Sequence, residues 1–272
     1  MRSTFLSAIL ACFFFMMTPP LVSQTNMFID NPVATEILLG NYDPGQYTPA
    51  SPLRDYDKII QGIVGEVSPQ RQLELLQYLD TFYNRNTGSD TLSLTTGIGA
   101  CRSWIKAYFD LIAKDNENRL VTGFLEFDAT VCGMTHHKNP FIILPGMDTL
   151  KHDILVVEGH FDTRNEDGCD TEGYTPGSDD NGSGTVLVME LARVMAQYSF
   201  DKTILFTTPT GEDQGLWGAT AWADYLKAQN IDVLACLNND VVGGIYCGKT
   251  SSPPSCPYWG QVDSTHVRIF SS

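Results

Sequence analysis

The seven cysteines include no C-x-x-C pair, so the usual framework of a structural zinc finger is missing. Basic residues are scarce: 17 Lys+Arg stand against 32 Asp+Glu, a formal net charge of −15. A surface this acidic repels phosphate backbones and speaks against nucleic acid as a partner, although acidity says little about fold. Beyond the first 23 residues no run approaches the ~20 apolar residues of a membrane span. No internal repeat or low-complexity tract is present, and no shift in composition marks a second domain. What remains is 43% hydrophobic and 11% aromatic over 272 residues, ample for a sizeable core.

The first residues read as an export signal over 1–23. Arg2 gives a positive start, FLSAILACFFFMM (5–17) is apolar, and TPPLVSQ breaks the run with small residues near Ser23. An uncleaved N-terminal anchor is the alternative; a lipoprotein reading through Cys12 is weaker, because the apolar run continues past that cysteine. The expected location is secreted or periplasmic, with no integral membrane span once the signal is removed. Six cysteines then remain (Cys101, Cys132, Cys169, Cys236, Cys247, Cys256), an even number suited to an oxidising compartment. Cys247 and Cys256 flank the loop GKTSSPPS and are the pair expected to form a disulfide; spacing does not assign the others.

After a Pro/Gly-rich lead-in (31–53), helical patterns follow. Ile59, Ile60, Ile63 and Val64 share one face, and Ser68-Pro69 is an N-cap with proline at the first helical position. Leu73, Leu76, Leu79, Phe82 and Tyr83 continue a stripe, and 96–114 is a third amphipathic stretch carrying Trp104, Ile105, Tyr108, Phe109 and Ile112. The pattern then changes to strand-length apolar runs at 120–129, 141–144, 154–160, 203–208 and 233–240, with helical patterns at 182–198 and 215–229 between the last three. Buried strands alternating with helices predict an α/β layered sheet. In such sheets ligands bind at the carboxyl ends of strands, where His160, Glu212-Asp213 and Asp240 each fall.

These residue types suit one chemistry. Imidazole and carboxylates are the zinc ligands used outside thiolate sites. In EGHFDT (158–163), His160 and Asp162 lie two apart on an extended segment and share a face. The carboxylate can orient the imidazole or act as a ligand itself. In PGSDDNGSG (176–184), Asp179, Asn181, Ser183, Gly184 and Glu190 follow calcium-loop spacing apart from the serine. The preceding EGYTPGS cannot be the helix such a loop requires, which leaves a turn presenting Asp180 to a metal. In PTGEDQG (209–215), Glu212 adjoins Asp213; neighbouring carboxylates repel unless a cation lies near them, and one can serve as ligand and the other as general base.

Together these motifs resemble the secreted zinc aminopeptidases of metallopeptidase family twenty-eight, whose members use two co-catalytic zinc ions. The resemblance runs from about Val67 to Asp240 and is densest in GHFDT, PGSDDNGSG, ELAR, GEDQGLWGA and NNDVVG. It implies a three-layer α/β/α sandwich with a mixed central sheet, built as a single zinc-peptidase domain over 24–272. It also implies two Zn2+ per chain and peptide or protein N-termini as substrate. Carried over, His160 and Asp240 are ligands of one zinc, Asp180 bridges both, and Asp213 is a ligand of the other. Glu212 is the general base and Asp162 the partner of His160.

Two departures stand out. The family usually has glutamate where this chain has Asp213, which reaches about 1.5 Å less. Its last zinc-ligand histidine lies further downstream than residue 272, so the fifth ligand is expected outside this sequence, with His266 as the substitute within it. The domain is accordingly expected to be incomplete at its C-terminal end. His136 and His137 are expected at the surface of a polar connection. Two other functions stay open: a single-zinc glutaminyl cyclase of the same fold, and a peptidase-like binding module without activity.

Overall fold

The structure is a computed structural model that describes residues 24–149 and 153–244. Its strands are β1 (Thr25–Ile29), β2 (Val121–Val131), β3 (Met134–Leu144), β4 (Ile154–Glu158), β5 (Thr203–Thr207) and β6 (Val233–Asn238). They form one mixed sheet in the order β1-β2-β3-β5-β4-β6. The β1–β2, β2–β3 and β3–β5 pairs are antiparallel, whereas β4 pairs in parallel with both β5 and β6.

Alternation along the central strands explains the layers, because successive side chains leave opposite faces of a sheet. Ile142, Leu144, Val157, Ile204 and Phe206 join a buried cluster with Leu79, Ile105, Phe109, Ile112, Val186 and Met189. These come from α3 (Pro69–Asp80), α4 (Gly97–Asp115) and α5 (Gly184–Met195). Phe141, Ile143, Val156 and Leu205 point the other way and meet Ile37, Leu38, Trp222 and Leu226, from α1 (Pro32–Leu38) and α6 (Trp217–Ala228). The result is the α/β/α sandwich with a mixed central sheet. Each such Phe, Ile or Leu taken fully out of water contributes roughly 1.5–3 kcal/mol before entropy is charged against it.

The helix starts follow the capping chemistry. Ser68 Oγ accepts the Arg71 N–H at 3.2 Å and Pro69 opens α3. Three expectations need correction. The lead-in over 31–53 is not merely a connection: Asn31 caps α1, with Pro32 at its first turn, and β1 precedes it. α2 (Tyr56–Glu66) forms as its periodicity predicts, but it buries none of its residues, and Ile60 and Val64 are 54% and 74% exposed. His136 and His137 are not in a connection; they lie on β3, paired with Asp128 and Phe127 of β2. There His136 meets Glu126 and Asp128, both at 2.8 Å, while His137 is buried and bonded to the Ala129 carbonyl.

One disulfide joins Cys132, in the β2–β3 turn, to Cys169, in the long loop after β4. Among the described residues Cys101 and Cys236 carry free thiols. The expected Cys247–Cys256 pair, the leader over 1–23 and His266 lie outside the described residues.

Candidate metal centre

The carboxyl ends of β5, β4 and β6 lie side by side, with Glu158 of β4 in register with Thr207 of β5 and Asn238 of β6. Each strand then hands over to a short segment carrying acid–base side chains. His160 and Asp162 follow β4, Glu212 and Asp213 follow β5, and Asp240 follows β6. Asp180 comes from the turn that opens α5. That turn begins at Gly177, at φ +47, in the left-handed region that glycine enters without steric cost. Gly184 lets α5 start hard against the loop after β6, since a Cβ there would come within 2.0 Å of the Asn239 carbonyl.

The geometry centres on His160, whose side chain is 3% exposed. Its Nε2 lies 3.4 Å from Asp180 Oδ1, 3.6 Å from Glu212 Oε2 and 3.9 Å from Asp240 Oδ1. None of these contacts satisfies a hydrogen bond, and Nε2 is buried without a partner. A buried polar atom left unpaired is costly and uncommon. On its other side Nδ1 faces Asp162, 3.2 Å from the main-chain carbonyl and 3.5 Å from Oδ1. The Asp162 carboxylate is fully buried and accepts the Glu212 and Asp213 N–H groups, each at 3.2 Å. Both of its oxygens are thereby engaged in fixing the acidic turn beside His160, which favours its reading as an orienting residue over that of a ligand.

The electrostatics record crowding of like charge. Burial raises the Glu212, Asp213 and Asp240 pKa values, and neighbouring carboxylates add to that rise. Asp180 is held low by His160. For His160 burial alone works downward, but Asp162, Asp180 and Glu212 outweigh it and the imidazole is pushed up to about 11. A metal ligand must be the neutral imidazole, so zinc has to displace a proton. Zinc binding at neutral pH should therefore release about one proton per chain from His160, and affinity should rise with pH. Calorimetric titration in two buffers of different ionisation enthalpy reads this directly. Equal heats in both would mean either that His160 is already neutral before zinc arrives or that it is not a ligand.

Among the described residues two groups of side chains could hold an ion, His160 with Asp180 and Asp213, and His160 with Glu212 and Asp240, all ligand atoms of a group lying within 4.8 Å of one another. The five residues expected from the sequence therefore converge, with His160 common to both groups. Asp213 is also ion-paired, with Arg164 Nε at 2.9 Å. Sequence reasoning missed the residues that hold this arrangement. Asn181 is buried, donates to the Asn239 carbonyl at 2.9 Å and accepts the Gly184 N–H at 2.9 Å. Asn139 accepts the Thr210 N–H at 3.0 Å, fixing the start of the turn that carries Glu212. Arg85 is buried, and its guanidinium donates to main-chain carbonyls alone among the described residues.

An orphaned imidazole nitrogen facing carboxylate oxygens on an N/O donor set fits zinc. Such a centre, at the carboxyl edge of a mixed sheet held between two helical layers, is that of a zinc-peptidase type of sandwich. Residues 139–251 match the model of Peptidase family M28, and this stretch of the chain belongs to that family. A probable zinc metalloprotease of Pyricularia oryzae is 32% identical over 267 residues, covering 92% of this chain and 49% of its own. The chain spans about half the length of the curated relatives it matches. Among solved structures, the LapA aminopeptidase of Legionella pneumophila superposes with a TM-score of 0.56 at 23% identity, covering 68% of this chain and 46% of its own. A glutaminyl cyclase of Porphyromonas gingivalis does so at 0.51 and 19% identity, covering 65% and 62%. These two likenesses concern the fold.

Proposed function

We propose that the chain carries the metal centre of an exported aminopeptidase, a zinc-dependent enzyme that releases residues from the N-termini of peptides and proteins. The observation that carries this reading is the buried, unpartnered His160 Nε2 set among Asp180, Glu212 and Asp240. In this reading His160 and Asp240 would hold one ion and Asp213 the other, with Asp180 available to both. Zinc there would supply Lewis acidity toward the scissile carbonyl and toward water.

The remaining chemistry belongs to the protein. Glu212 is partly exposed, and burial and its acidic neighbours raise its pKa, which suits a group that must accept and return a proton near neutrality. It takes the proton of the attacking water at Oε2 and delivers it to the nitrogen of the departing amine. Asp162 keeps the Glu212 and Asp213 main chain in place throughout. The surplus of carboxylate at the mouth favours a substrate with a free α-ammonium group. Export rests on the leader over 1–23 and is consistent with the Cys132–Cys169 disulfide.

Zinc-loaded protein should hydrolyse aminoacyl-anilide substrates with a free amino group, fail on their N-acetylated forms, and stop on addition of a chelator. The glutaminyl cyclase reading keeps its place through the shared fold. Mass spectrometry of an N-terminal glutaminyl peptide separates the two: loss of ammonia with the peptide bond intact would replace the aminopeptidase assignment.

A further inference from the structure

We infer that Arg85 is the positioning residue of the metal centre, a buried cation that holds the His160 loop and the Asp180 turn at the separation where their side chains can share an ion. The inference rests on the metal-centre reading above and extends it to a residue that would touch neither metal nor substrate.

Arg85 lies in a short segment after α3 and is 1% exposed. A buried guanidinium normally meets a carboxylate. This one does not: Nε donates to the Phe161 carbonyl at 3.0 Å, Nη1 to Pro176 at 2.9 Å and Leu79 at 3.3 Å, and Nη2 to Gly177 at 3.2 Å. Phe161 lies between His160 and Asp162, and Gly177 begins the turn that presents Asp180. One rigid planar fork therefore spans both ligand-bearing segments and ties them to the end of α3. The main chain of Arg85 repeats the link, since its N–H donates to Thr175 Oγ1 at 3.1 Å and its carbonyl accepts the Thr163 N–H at 3.1 Å. Thr163 and Thr175 close the bracket by a hydroxyl pair at 2.9 Å.

A fork is required because the acceptors point at the guanidinium from several directions in its plane. An ammonium group carries its three donors on one atom and cannot reach Phe161 on one side and Gly177 on the other. Charge bears on the same point. Asp162, in the His160 loop, is the carboxylate of the centre whose charge bears on the Arg85 guanidinium, and this fixed cation opposes it without occupying a ligand position.

The test is Arg85→Lys in the full chain, with two readouts. Amide hydrogen exchange without added metal should rise at least tenfold at Phe161, Thr163, Thr175 and Gly182, while α4 amides stay protected. Competition against a zinc chelator should show zinc affinity reduced at least tenfold. Ile37→Val, a core change on α1 in the buried cluster on the opposite face of the sheet, provides the control: it should lower melting temperature while leaving zinc affinity intact. Unchanged exchange at the four amides would overturn the inference, as would raised exchange with unchanged affinity, or an equal loss in the control. If Arg85→Lys does not fold, wild-type exchange decides: the four amides should be as protected as those of α4, and surface-loop rates would overturn the clamp. If wild-type protein binds no zinc, the proposed function fails, while the exchange readout still decides whether Arg85 braces the two segments.

Discussion

Glu212→Gln should lower kcat by a factor of about a hundred to ten thousand, the range that a positioned general base contributes, while zinc content stays at its wild-type value. Glutamine fills the same volume beside His160 and can still accept a hydrogen bond, but it cannot take the proton at Oε2. The carboxylates left in place, Asp180, Asp213 and Asp240, retain the oxygen donors of both ion groups apart from Glu212 itself. Steady-state kinetics with elemental analysis of the same dialysed sample measures both quantities. Parallel loss of zinc would recast Glu212 as a ligand, because it does belong to one of the two groups. A wild-type rate would remove it from the mechanism.

His160→Ala should lose at least the ion assigned to His160 and Asp240, so that zinc retained after dialysis falls by one ion per chain. The variant should also be less stable. Its loss leaves Asp162, Asp180, Glu212, Asp213 and Asp240 without the cation they surround, and the cost falls mainly on Asp162 and Asp213, the buried members of the set, because solvent screens the others. The sign of the pH dependence follows. Glu212, Asp213 and Asp240 are raised in the folded chain, so their penalty is present above the folded pKa values and is relieved as pH falls through them. Melting temperature should therefore rise from neutral to mildly acidic pH, more steeply in the variant than in wild type. Wild-type zinc content in His160→Ala would show that the imidazole is not a ligand.

Much of this centre was legible in the residues because its ligands are grouped along the chain next to unmistakable strands. Buried parallel strands read as continuous apolar runs, and ILVV and TILF are such runs. Anything polar just after them must lie at the carboxyl edge, which located His160, Glu212, Asp213 and Asp240. The start of β3 was hidden for the opposite reason: MTHHKNP is polar where β3 faces solvent and His137 is buried against main chain, so no alternation shows. Asn31-Pro32 is a legible helix start that the surrounding glycines and prolines obscured. Arg85 left no signal at all, because its partners are carbonyls, which every residue possesses. The Cys132–Cys169 pairing was equally silent, since spacing does not determine connectivity.

The three-strand edge has a consequence for inheritance. Adjacent strands in a sheet lie ~4.8 Å apart whatever side chains they carry, and β5, β4 and β6 each deliver their acid–base residues within a few positions of that edge. The pitch of the centre is thus written in backbone hydrogen bonds, which substitution does not erase. Side chains in the two helical layers are free to drift, provided that volume and alternation survive. Descendants can therefore exchange most of their residues and keep the dimensions of the cleft. Likeness of fold at 19–23% identity is the visible result. New substrate preferences in such a lineage would arise in the loops around the cleft, over a floor that scarcely changes from one descendant to the next.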